Sequence, residues 1–175
     1  VPMLIPEVNA AHTAVIEHQR RRLGTKRGFV AVKPNCSIQS YVPALDALRA
    51  FDPERVFVCT YQAISGAGKT FKDWPEMVDN VIPYIGGEEE KSEKEPLKIW
   101  GKLKGGEIVP AEAPKEAPVI SSQCIRVPAS DGHLAAVFVS FRKKPSPERI
   151  LELWAAHEGP PQKLSLPSAP KPFLQ

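Results

Sequence analysis

The chain has 175 residues, 42% of them hydrophobic, with 23 Lys and Arg against 20 Asp and Glu, and a length of this order fits one domain that buries roughly two thirds of its unfolded surface. Charge is close to balanced, and the basic residues are scattered apart from Arg20 to Arg22 and Arg142 to Lys144, so no nucleic-acid partner is expected. No apolar run reaches the ~20 residues that span a bilayer and no signal peptide opens the chain, so a soluble protein with no membrane partner is expected.

After the extended opening VPMLIPEVN, the spacing predicts a helix over residues 10–23 with Asn9 as its cap, followed by a turn between Gly24 and Gly28. GFVAVKP reads as a short strand. From Ser37 to Arg49 the residues Ile38, Tyr41, Val42, Leu45 and Leu48 recur at helical spacing, with Pro43 in the first turns or at a bend, and Asp52 and Pro53 end the element. RVFVCTYQAI alternates and is rich in β-branched and aromatic residues, which predicts a strand closing at SGAGK. Further strands are expected at VISSQCIRV and LAAVFVSF, and helices over 74–80, 85–100 and 147–157. The fold class is α+β, a mixed or antiparallel sheet covered by helices, with adjacent strands expected to be antiparallel.

Residues 101–118 carry Gly, Pro and charge and read as a mobile loop. The stretch 159–175 has five prolines and no periodicity and reads as a tail or linker after a domain spanning 1–158. Together with the extended apolar start, it suggests an excised domain.

Three cysteines argue against a disulfide framework and for a reducing, cytoplasmic compartment. They form no CxxC pair, and His12, His18, His133 and His157 build no ligand cluster, so no metal is expected. Cys36 stands where a strand is expected to turn into a helix, and unpaired amides and the positive dipole end there would favour a thiolate. The neighbouring Asn35 side chain and the same amides are available to an oxyanion formed when sulfur attacks a carbonyl. The competing reading makes Cys36 a small buried apolar residue. Cys59 and Cys124, inside apolar strands, read as core. His133 follows Asp131 and Gly132 in a turn, which makes it the best proton partner for Cys36, although an ordinary exposed turn histidine remains the alternative. The other histidines lie on predicted helices and read as surface.

PNCSIQ, VCTYQAISGAGK, DNVIPYIGGEEEKSEKEPLKIWG and CIRVPASDGHLAAVFVSF, in that order, resemble aspartate-β-semialdehyde dehydrogenase of the fungal and archaeal branch. The resemblance runs from the first residues to about Trp154 and covers the central catalytic and dimerisation domain, which folds like the second domain of glyceraldehyde-3-phosphate dehydrogenase. It implies an oxidoreductase that converts L-β-aspartyl phosphate to L-aspartate β-semialdehyde with NADPH through a Cys thioester, on the route to lysine, threonine, methionine and isoleucine.

By the same resemblance Cys36 is the nucleophile, His133 the acid/base catalyst and Gln62 a positioning group, with Arg126 on the substrate carboxylate. A Glu-x-x-Lys pair binds the amino group and phosphate. Glu95 and Lys98 are the preferred match, and Glu88 to Lys91 is the competing register, read as a solvated helix start. Pro96 inside the preferred motif leaves its geometry open. Ser65 and Gly66 match the loop that approaches the nicotinamide.

No GxGxxG follows a strand. A preceding NADP-binding domain is therefore expected to be absent, with NADP(H) not held tightly and no NADPH turnover by this chain alone. A homodimer or a dimer of dimers is implied. The alternatives are a cysteine hydrolase using the same pair, or a non-catalytic dimerisation module.

Overall fold

A computed structural model describes residues 1–174. Its centre is a three-stranded sheet in the order β4-β1-β5, formed by β1 (Pro53–Gln62), β4 (Val119–Arg126) and β5 (His133–Phe141). β5 runs antiparallel to β1, but β4 runs parallel to it, which corrects the antiparallel expectation for that pair. The reason lies in the connection, since the crossover between β1 and β4 carries helix α4 (Glu88–Ile99) and returns the chain in the same direction.

One face of the sheet is covered. Val56, Val58 and Ile120 pack with Ile38, Tyr41, Val42, Leu45, Ile99 and Trp100 into a single core. The other face leaves Phe57, Phe138 and Leu134 exposed, and Cys59 lies among them rather than in the core, because strand residues alternate faces and Thr60 takes the inward place. Cys124 is fully buried, and burial holds its thiol above the ordinary range, so it packs as a neutral side chain.

α4 also seals the outer edge of β4. Glu93 Oε1 accepts from Ser122 N at 3.1 Å and Glu89 Oε1 from Cys124 N at 3.3 Å, while Ile82 exchanges backbone hydrogen bonds with Arg126. The edge amides are thus occupied by carboxylates and one bridging residue.

Pro96 sits inside α4 and has no N–H for the carbonyl of Ser92, one turn earlier. The buried Tyr41 hydroxyl fills that gap, donating to Ser92 O at 2.8 Å. Burial drives the Tyr41 pKa upward, which keeps the donor proton in place.

The helix read over 10–23 is preceded by α1 (Pro6–Asn9), begins as a 3₁₀ turn (Ala10–Val15) and becomes α2 (Ile16–Leu23), closed by Gly24 at φ 65°. Asn9 does not cap it. Its amide instead accepts from Ile5 N, donates to Met3 O and touches His12, which is buried and bonded to Gly101 O at 2.9 Å rather than exposed. GFVAVKP joins no sheet: Val32 makes one bridge to Met3, and the Gln19 side chain takes both backbone groups of Val30.

The helix read over 37–49 is broken into a 3₁₀ turn (Ile38–Ser40), α3 (Val42–Asp46) and a second 3₁₀ turn (Arg49–Phe51), because Pro43 fixes a new helix start. Within 74–80 only Pro75–Met77 is helical, as a 3₁₀ turn. The expected loop 101–118 opens with a hairpin, β2 (Lys102–Lys104) and β3 (Glu107–Val109), turned by Gly105 and Gly106, both at positive φ. Helix α5 (Pro147–Ala156) lies where expected, and within the proline-rich stretch α6 (Pro160–Lys163) docks on α1 through the buried Gln162, which donates to Glu7 Oε1 at 3.4 Å.

Tyr41→Phe orphans the buried Ser92 carbonyl and is expected to cost about 1–3 kcal/mol in urea unfolding. Adding Pro96→Ala returns an N–H to that carbonyl, so the same substitution in the Pro96→Ala background is expected to cost less than half as much. Equal costs in both backgrounds would exclude the pairing.

Candidate active site

The three sheet strands reach one level at a single rung. Gln62, the last residue of β1, stands opposite Arg126, the last of β4, and opposite His133, the first of β5. All three belong to the inward-facing set, so the register alone places an amide, a guanidinium and an imidazole side by side. The loop after β1 is tied to the loop before β5, with Ile64 N donating to Ala129 O at 2.9 Å and Ser65 N to Ser130 O at 3.2 Å.

Cys36 comes to this rung from the other side. It lies on a turn, half-buried, and its Sγ is 3.2 Å from His133 Nε2. The helix expected to begin here is only a three-residue 3₁₀ turn, so a helix dipole does not account for the placement of the thiol. Its partner is the imidazole. His133 Nδ1 lies between a donor and an acceptor, Ala63 N at 3.1 Å and Gly132 O at 2.9 Å. Protonated at Nδ1, the ring bonds Gly132 O and leaves Nε2 free to take the thiol proton. Protonated at Nε2, it accepts from Ala63 N and offers its proton to sulfur.

Asn35 anchors the turn. Its backbone N donates to Glu95 Oε2 at 2.6 Å, its Nδ2 donates to Glu88 Oε2 at 2.7 Å, and its Oδ1 accepts from both Ser37 N and Ser37 Oγ. Gln39 Nε2 holds the carbonyls of Pro34 and Asn35 from below, a support that sequence reading missed and that only its three-residue offset from Cys36 hinted at.

Glu88 is the residue that sequence analysis set aside. Its Oε2 also accepts from Gln62 Nε2 at 3.3 Å and its Oε1 pairs with Lys91 Nζ at 2.9 Å, so the Glu88 to Lys91 register reaches the site. Burial pushes this carboxyl up, but hydrogen bonds from Asn35, Lys91 and Gln62 together outweigh it and hold the pKa below the ordinary 4.5. Of the preferred register, Glu95 touches the Asn35 backbone, whereas Lys98 does not join. It is exposed at the far end of α4, roughly 15 Å along the axis from Glu88 at the usual rise per residue.

Arg126 is buried and donates through Nη1 to Ala63 O at 2.8 Å. Gly66 closes against it: a Cβ there would come within 2.9 Å of Arg126 Nη1 and 3.0 Å of His133 Cε1. Ser65 and Gly66 form the rim of an open hollow of about 350 Å³ floored by Cys36 and His133. Among the described residues no group of His, Cys, Asp and Glu is arranged to hold a metal, and no helix is long and apolar enough to cross a membrane.

Fold and site together define a domain with a thiol–imidazole pair, the thiol on a turn and the imidazole at a strand end. The chain belongs to the semialdehyde dehydrogenase family: the model described as "Semialdehyde dehydrogenase, dimerisation domain" matches residues 43–175. It is 39% identical to an aspartate-semialdehyde dehydrogenase of Aspergillus fumigatus, over all of this chain and 49% of that protein. It is 41% identical to one of Methanothermobacter thermautotrophicus, over 98% of this chain and 48% of that protein. The crystal structure of aspartate semialdehyde dehydrogenase with NADP from Candida albicans superposes with a TM-score of 0.76 at 33% identity, over 94% of this chain and 47% of that one. The chain thus spans about half the length of the relatives it matches.

Because the folded pKa of Glu88 is depressed, its contribution to stability is complete above 4.5 and is lost as pH falls through the lower folded value. The thermal midpoints of the wild type and of Glu88→Gln are therefore expected to differ most at neutral pH and to converge in acid. A gap that widens below pH 4.5 would contradict the assignment.

Proposed function

We propose that this chain is the catalytic and dimerisation part of an NADP-dependent aspartate-semialdehyde dehydrogenase, which reduces L-β-aspartyl phosphate through a thioester on Cys36. The observation that carries the reading is the 3.2 Å approach of His133 Nε2 to Cys36 Sγ at the rung that also holds Gln62 and Arg126.

His133 takes the thiol proton, and Sγ attacks the acyl carbon. The C–O bond to phosphate breaks, phosphate leaves with its electron pair, and the acyl group stays on sulfur. NADPH, when bound, supplies the hydride that brings this acyl group to the aldehyde oxidation level. Protonated His133 gives its proton to the oxygen left by that addition, forming the thiohemiacetal, then takes it back as the C–S bond breaks and passes it to sulfur, restoring the starting pair. Arg126 offers a planar fork to the α-carboxylate, and Glu88 a carboxylate to the ammonium group. Lys91, not Lys98, carries the cation for phosphate, since its ammonium stands beside Glu88.

The residues present fit one end of the cofactor. Ser65 and Gly66 would hold the nicotinamide side, because the missing Cβ of Gly66 keeps the rim clear above His133 and Arg126. The chain has no GxGxxG, so reduction by this chain alone is not expected, whereas acylation is. The exposed face bearing Phe57, Phe138 and Leu134 is the surface for a second copy of the chain, in keeping with the family's dimerisation domain.

Incubation with β-aspartyl phosphate and intact-mass analysis tests the reading. One acyl group is expected on the wild-type chain and none on Cys36→Ser. Lys91→Ala is expected to raise the half-saturating acyl-phosphate concentration by about tenfold, the loss of one charged contact, and Lys98→Ala to leave it unchanged. No acylation of the wild type would overturn the function, and the reverse order of the lysines would restore the other register.

A further inference from the structure

Thr60 lies two residues before Gln62 on β1, so both side chains occupy the covered face. It is wholly buried, and its hydroxyl donates to Gln62 Oε1 at 3.0 Å. A carboxamide has two ends of almost the same shape and opposite hydrogen-bonding character, so something other than packing must decide which end faces the site. A threonine hydroxyl has one proton, and across the sheet it faces the apolar Ala135 on β5 and, on β4, the Cys124 thiol, a weak acceptor. The amide oxygen is its strong acceptor.

We propose that Thr60 is a positioning residue: it pins the Gln62 oxygen inward, so that Gln62 turns its N–H group to Glu88, the carboxylate that also holds Asn35 next to Cys36. The proposal rests on the acyl-transfer reading above and adds to it how Gln62 is oriented.

The second amide of the site is built on the same plan. Asn35 Oδ1 is held by the Ser37 hydroxyl at 2.5 Å, and Asn35 Nδ2 donates to the same Glu88 Oε2 that receives Gln62 Nε2. Behind Ser37 stands Ser92 Oγ at 3.1 Å, also wholly buried. Two carboxamides, each fixed at its oxygen by a buried hydroxyl, therefore converge with their N–H groups on one carboxylate oxygen. Were Gln62 to turn over, its oxygen would face the Glu88 carboxylate, a repulsive contact, and the Thr60 hydroxyl would have to accept from Nε2 and send its proton to the Cys124 thiol, a weaker acceptor. Both changes are unfavourable, so Thr60 and Glu88 select the orientation together, although Thr60 is too deep to touch substrate. Nε2 carries two protons, one of which goes to Glu88.

Thr60→Val keeps the shape and removes the proton, and Thr60→Ser keeps the proton. By NMR the Gln62 carboxamide protons of the wild type are expected to exchange with water more slowly than those of a free glutamine. Thr60→Val should speed that exchange by about tenfold and Thr60→Ser by less than about twofold, the scale of one buried hydrogen bond. In acylation of Cys36 by β-aspartyl phosphate, Thr60→Val should lower the maximal rate by about tenfold while the half-saturating concentration stays within about twofold, and Thr60→Ser should restore it. Unchanged exchange in Thr60→Val, or equal defects in the Val and Ser variants, would overturn the proposal. If Thr60→Val does not fold, the wild type decides alone, because carboxamide protons exchanging as fast as free glutamine contradict it. Failure of the wild type to acylate would count against the function proposed for Cys36 and not against the exchange result, so the two failures can be told apart.

Discussion

The contact between Cys36 Sγ and His133 Nε2 is made by two parts of the chain that share no element, and it exists because β5 pairs with β1 in one particular register. Gln62 opposite His133 is that register, and the parallel pairing of β4 places Arg126 on the other side of the same residue. Sliding β5 by one residue would turn the imidazole to the exposed face and bring Leu134 to the thiol. The alternating apolar residues that drive Val56, Val58, Val137 and Val139 into the core therefore also fix the chemistry at the sheet's end.

The turn bearing Cys36 has no regular structure to hold it, and α4 does so instead. Glu88 and Glu95 bind the side chain and backbone of Asn35, so the residue before Cys36 is clamped at two points by one rigid helix. The helix pays for its own proline through Tyr41, which belongs to the segment that follows Cys36. Helix, turn and sheet end are thus tied by buried polar groups that are satisfied only together, a condition that favours one arrangement over many compact ones.

Much of this was legible in the residues. The alternation in RVFVCTYQAI and the Asp-Gly before His133 located the strands and the turn, and the motif order gave the family. The register of the Glu-x-x-Lys pair was not legible, and the helix geometry says why: residues 88 and 95 are seven apart, close to two full turns, so both registers lie on one face. Both glutamates reach Asn35, and what separates them is that Glu88 also meets Gln62 at the sheet's end, which depends on the tertiary fold. The direction of β4 was hidden in the same way, since strand alternation carries no sign of direction. The Gly105–Gly106 hairpin, by contrast, had its turn signal in the sequence, masked by the charge and proline around it.

The pairing of the thiol with the imidazole is tested most directly by the rate at which iodoacetamide alkylates Cys36 at neutral pH, read by peptide mass spectrometry in the wild type and in His133→Ala. The structure requires Cys36 to react faster than a model thiol, and to lose about tenfold or more of that rate when the imidazole is removed, the scale of a positioned base. Equal rates in the two proteins would contradict it.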